Sequence, residues 1–165
     1  MLQSKEDRFM ELLEKNKYRI LRLCRIYTQS IDNQQDLYQE IVIELWKSFD
    51  TIRDPTYTNT WFYRVALNVG MRFQRTQKSI KSRKTNSIDF IHSETTAQED
   101  IEKQELRNQL YRCIAQLDEG DRAIVLLHLE GIGNQQIAEI IGISENYVAV
   151  KLKRIREKLR VCINW

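Results

Sequence analysis

The sequence predicts an all-α chain: two small helical domains joined by a flexible linker, the C-terminal one a helix-turn-helix. Three observations carry that expectation. The 165 residues hold one proline and five glycines, little turn punctuation for a sheet and enough for long helices. Apolar side chains recur at helical spacing in residues 1–76 and again in 98–165. Residues 77–97, between them, are polar, rich in Ser, Thr and Lys, and aperiodic, the composition of a linker.

The elements follow in order. Ile20, Leu21, Cys24 and Tyr27 make the first apolar stripe. Leu37, Ile41, Leu45 and Phe49, with Val42 and Trp46 alongside, make the second. Residues 50–60, DTIRDPTYTNT, carry the Asp, Pro, Thr and Asn of turns and caps and read as a loop. Trp61, Phe62, Val65, Val69 and Phe73 make a third stripe. After the linker, Ile101, Leu106, Leu110 and Ile114 lead into Leu117. Asp118 is then an N-cap, with Asp121 placed to close a capping box. Gly131 and Gly142 stand where helices should stop.

Composition excludes several classes. Hydrophobic residues make up 42% and charged residues 30%, which suits a folded, soluble chain. No run approaches the ~18 apolar residues of a membrane span, and MLQSKEDRF lacks an apolar signal core. Cytoplasmic residence without membrane insertion is therefore expected. Cys24, Cys113 and Cys162 are widely spaced within apolar helical patterns, and neither His92 nor His128 sits at ligand spacing from them. Buried reduced thiols and no metal site are expected. Glycine-rich phosphate loops and nucleophile motifs are missing, so neither a cofactor nor enzymatic chemistry is expected.

The net charge of +3 decides nothing, but its distribution does. Lys151, Lys153, Arg154, Arg156, Lys158 and Arg160 stand against Glu157 alone, which suggests a polyanion partner. In the same stretch Ile137, Ala138 and Ile141 form the inner face of a short helix, Gly142 makes the turn, and Ser144 caps the next helix. Val148, Leu152, Ile155 and Leu159 then face a core, leaving Glu145, Asn146, Tyr147, Val150, Lys151 and Arg154 outside. That is a helix-turn-helix offering amide, phenol and cation groups to a major groove. A solvated charged face on an ordinary hairpin would explain the charges, but not the agreement of turn, core spacing and basic face.

A second constellation lies upstream. In DLYQEIVIELW, Asp36, Gln39, Glu40 and Glu44 spread along one side of a helix and Leu37, Ile41 and Leu45 along the other. In TWFYRVALN, aromatics are interleaved with Arg64 and Asn68, a pattern suited to core packing and also to gripping unstacked bases. These two motifs, a polar linker and LDEGDRAIVLLHLEGIGNQQIAEIIGISENYVAVKLKRIREKLR together resemble an extracytoplasmic-function sigma factor of bacterial RNA polymerase.

The resemblance implies partners and residues. Asp36, Leu37, Gln39 and Glu40 would dock on the clamp of the polymerase core. The 50–60 loop with Trp61, Tyr63, Arg64 and Asn68 would hold the single-stranded −10 element, and Arg72 and Arg75 its phosphates. Ser144, Asn146, Tyr147, Val150, Lys151 and Arg154 would lie on the helix that reads the duplex −35 element. An anti-sigma factor is a common further partner in the family. The chain departs from the family pattern at Ala149, where a cation is frequent, at Val150 in place of Ser, at Ile132, Gly133 and Asn134 in place of Leu-Ser-Tyr, and at Leu67 in place of Arg. Fewer charges imply a weaker backbone grip. The rival readings are a stand-alone helix-turn-helix regulator with a palindromic site, a small hydrolase, and a decoy that occupies polymerase without DNA. The acidic DLYQE face weighs against the first, because a dimer face should be more apolar.

Overall fold

The computed structural model describes residues 2–81 and 100–164. Seven α-helices and two short 3₁₀ turns appear among them, in two compact units: α1–α3 in one and α4–α7 in the other. The linker expectation for residues 82–97 lies outside the described residues. At its start the expectation is corrected, because α3 continues to Lys81. Gln77, Lys78 and Lys81 are good helix formers, and no Gly or Pro stops them there.

In the first unit, α1 (Lys5–Tyr27) opens on a capping box in which Ser4 accepts from the Asp7 amide and Asp7 answers the Ser4 amide. Ser30 caps α2 (Ile31–Ser48) by a single bond, its hydroxyl accepting from the Asn33 amide. Leu37, Ile41 and Leu45 of α2 are fully buried against Ile20, Leu23 and Cys24 of α1 and Phe62, Ala66, Leu67 and Val69 of α3 (Thr58–Lys81). Gly70 lets α3 approach α1, since a Cβ there would stand 3.0 Å from the Tyr27 ring. Burial pushes the Cys24 thiol up to about 12, so this cysteine is the inert core residue that was expected.

In the second unit, Asp100 caps α4 (Ile101–Ala115) and Asp118 caps α5 (Glu119–Leu129). The short α6 (Asn134–Ile141) ends at Gly142, whose φ of 85° is the left-handed turn the sequence called for. Ser144 then caps α7 (Glu145–Ile163). Val148, Leu152 and Ile155 pack inward with Ile137, Leu126 and Leu127. Arg122 is 2% exposed and donates to the carbonyls of Ile114, Ala115 and Leu117, closing the C-terminal end of α4 onto α5.

Three expectations are corrected here. Ile101 and Leu106 are exposed, so only the C-terminal half of α4 joins the core. Asp121 does not return to the Asp118 amide as a capping-box partner; its carboxylate is turned to α7 instead. Cys113 and Cys162 are not separate thiols but a disulfide joining α4 to the last turn of α7. The pairing was hidden from the sequence because 49 residues separate the two cysteines.

Candidate nucleic-acid and protein interfaces

Three surfaces collect the residues that the sequence singled out. On α2, Asp36, Gln39 and Glu40 are exposed, with Asp32 and Ile43 on the same side of the helix. Leu37 is 0% exposed and faces the opposite way. Its side chain supports this face from behind and is not part of it.

The second surface is the loop before α3 and the exposed side of that helix. Asp54 accepts from the Thr56 amide at 2.9 Å and starts the 3₁₀ turn Pro55–Tyr57. That hydrogen bond to the backbone holds its carboxyl below the usual value. The other 3₁₀ turn, Phe49–Thr51, is steadied by α1: Lys5 reaches Asp50 at 2.6 Å and lies over the Trp46 ring, and Arg8 lies over Phe49. Between the turns, Thr51, Ile52, Arg53, Asp54, Tyr57 and Trp61 line an open cleft of about 300 Å³. Such a volume lies at the lower end of small-ligand sites, which run ~300–1,000 Å³. Trp61 is anchored in the cleft wall by its indole N–H, which donates to Ser48 Oγ at 3.1 Å.

From the cleft, Arg64, Asn68, Arg72 and Arg75 run along α3 at spacings of four, four and three, all exposed. Tyr63 does not join them. It is 2% exposed, edge-on to Phe62, with the Arg19 guanidinium over its ring. Leu67 is buried as well, at 2% exposure, and belongs to the core of the unit instead of this exposed line. Sequence reasoning missed Arg53 and Tyr57 as individuals. Their signal was present in the turn chemistry of DPTY, which fixes a loop and so presents its side chains.

The third surface is the outer side of α7. Asn146, Tyr147, Val150 and Arg154 are exposed, with Tyr147 and Val150 each close to half accessible. Ser144 sits at their edge and uses its hydroxyl to cap the helix, accepting from the Tyr147 amide at 3.1 Å. Lys151 differs. It is bonded through Nζ to Asp121 Oδ1 at 3.1 Å, with only 24% of its side chain accessible. Lys153, which the sequence placed in the basic run but not among the DNA contacts, is exposed at the edge of the outer face, beside Asn146 and on the side away from Val150.

Residues 12–80 match the family model "Sigma-70 region 2", which holds the first two surfaces, and residues 107–159 match "Sigma-70, region 4", which holds the third. The chain belongs to the sigma-70 family, among its extracytoplasmic-function sigma factors. It is 27% identical to the RNA polymerase sigma factor SigV of Bacillus subtilis, over 88% of this chain and 85% of that one. It is also 27% identical to the ECF RNA polymerase sigma-E factor of Escherichia coli, over 92% and 84%. In fold it resembles the sigma factor RpoE solved with the anti-sigma factor NepR from Bartonella quintana, with a TM-score of 0.75 at 14% identity over 94% of this chain and 96% of that one. CnrH, solved with the cytosolic domain of CnrY, gives 0.68 at 18% identity over 94% and 87%. The function is that of a sigma factor, directing RNA polymerase to promoters, and the stand-alone regulator is not favoured. No described helix is long and apolar enough to cross a membrane.

Proposed function

We propose that this sigma factor divides its work among the three surfaces. The exposed Asp36, Gln39 and Glu40 of α2 dock on the polymerase core. The cleft at Trp61 takes a base of the melted −10 strand, while Arg64, Asn68, Arg72 and Arg75 follow the backbone. The outer face of α7, through Asn146, Tyr147, Val150 and Arg154, reads the −35 duplex. The observation that carries this reading is the order of the second surface: a walled cleft, then a line of exposed cations and one amide leading away from it.

The mechanism needs no chemistry from the chain itself, so the protein is a non-enzymatic initiation factor and works where polymerase works, in the cytoplasm. Flipping a base out of the duplex costs a few kcal/mol of stacking and pairing, and stacking on an aromatic wall returns ~1–3 kcal/mol per base. Trp61 and Tyr57 supply that wall. Val150 offers an apolar contact to a thymine methyl in the major groove, where Asn146 can hydrogen-bond a base edge. RpoE and CnrH are both known bound to a partner protein, RpoE to an anti-sigma factor. An anti-sigma factor is the corresponding partner for this chain.

The test is run-off transcription with bacterial core polymerase on a library of randomised promoters. Specific transcripts should appear only when the protein is added, and should share a −10 and a −35 element. Tyr147→Ala should lose output at promoters that depend on the −35 element and spare those altered in it. Equal loss at both kinds would sink the assignment of α7.

A further inference from the structure

The sequence placed Lys151 among the DNA contacts and treated the basic run of α7 as one patch. The structure divides that run. Lys151 and Lys158 are seven residues apart, two turns of helix, and so share a side of α7. That side faces α5. Asp121, 1% exposed, takes one ammonium on each carboxylate oxygen: Lys151 on Oδ1 at 3.1 Å and Lys158 on Oδ2 at 2.8 Å. Asp121 also lies in the first turn of α5, where the helix dipole favours an anion. Burial alone would raise its carboxyl, but the bonds and charges of Lys158 and Lys151 hold it below the ordinary value of 3.8. Lys151 responds in the opposite direction, raised above 10.5 chiefly by its hydrogen bond to Asp121.

We propose that Asp121 is a positioning residue for promoter recognition, one that fixes the rotation of α7 and withholds Lys151 and Lys158 from DNA phosphates. The inference rests on the reading of α7 as the −35 helix. With both ammonium groups engaged by Asp121, Lys151 at 24% side-chain exposure and Lys158 at 54%, Lys153 and Arg154 are the cations flanking the Asn146 and Val150 face. A buried carboxylate with two ammonium partners binds both firmly, because releasing either leaves buried negative charge less compensated. Withholding them has a consequence for selectivity. Phosphate contacts raise affinity for every sequence alike, whereas the base edges that Asn146 and Val150 can touch discriminate. Asp121 would thus trade non-specific affinity for specificity.

Salt dependence separates this from a structural ion pair alone, because each phosphate contact adds about 0.9 to the slope of log K against log salt. Holoenzyme assembled from core polymerase and the full chain would be titrated with duplex from a transcribed promoter at several salt concentrations. Lys153→Gln should make the slope shallower by about one, Lys151→Gln should leave it unchanged, and Asp121→Asn should steepen it by about one to two. The inference is overturned if Lys151→Gln shallows the slope as much as Lys153→Gln does, or if a folded Asp121→Asn leaves it unchanged. Should Asp121→Asn fail to fold, the comparison of Lys151→Gln with Lys153→Gln still decides. If Lys153→Gln and Arg154→Gln also leave the slope unchanged, α7 does not face DNA, and the −35 assignment falls together with the inference.

Discussion

Asp121 makes the clearest case for reading single residues by their partners. Its folded carboxyl is lowered and Lys151 is raised, so the pair gives a definite pH signature. The carboxylate contributes stability that is fully present above its unfolded value near 3.8 and is lost as pH falls through the lower, folded one. The ammonium contributes stability present below 10.5 and lost as pH rises through its higher folded value. Thermal melts should therefore show acid destabilisation that Asp121→Asn weakens; an unchanged acid limb would mean that the pair contributes nothing. Leu37 makes the opposite case. A residue placed with the docking face by sequence is buried at 0% exposure, and Leu37→Ala should cost about 2–5 kcal/mol of stability in a denaturant melt. Loss of polymerase binding at unchanged stability would return Leu37 to the interface.

At the scale of elements, what the sequence could say depended on how local the determining contacts are. The turn between α6 and α7 was legible because Gly142 and Ser144 act on their immediate neighbours, as did the inward spacing of Val148, Leu152 and Ile155. The rotation of α3 was not. Trp61, Phe62 and Tyr63 are consecutive, so any of them could have faced the core, and only packing against α1 and α2 turns Tyr63 in and leaves Trp61 at the cleft. The same limit hid Asp121, whose partners lie 30 and 37 residues away, and the Cys113–Cys162 link. That link fastens the C-terminal end of α7 to α4, while Asp121 fastens its middle to α5. The bond constrains the unfolded chain, with an expected contribution of about 4 kcal/mol for the 49-residue separation it closes. Reductant or Cys113→Ser should lower the melting temperature of the second unit. In a reducing compartment, as proposed for this factor, Asp121 and the apolar core would have to seat α7 without the bond. A second unit that unfolds on reduction would contradict that.

For the whole molecule, the separation of three surfaces over two units sets how binding adds up. On the proposed division of surfaces, each DNA contact on its own would be weak and salt-sensitive, but attachment to one polymerase would make the second contact effectively intramolecular, so that two weak grips combine into a firm one. On that proposal everything depends on the docking face, because without it the DNA contacts would act separately. Asp36 and Glu40 lie one turn apart on the exposed side of α2, opposite the buried Leu37, Ile41 and Leu45. Reversing either charge changes no core packing, and exposed substitutions of this kind usually shift stability within about 0.5 kcal/mol. Asp36→Lys or Glu40→Lys should accordingly keep the helical circular dichroism and the melting temperature while losing affinity for core polymerase, and transcription should fail at every promoter alike. Uniform failure is the informative part, since a fault in −10 capture or −35 reading would spare promoters that rely on the other element. A charge-reversed variant that joins core polymerase at wild-type affinity would place the docking surface elsewhere on the first unit.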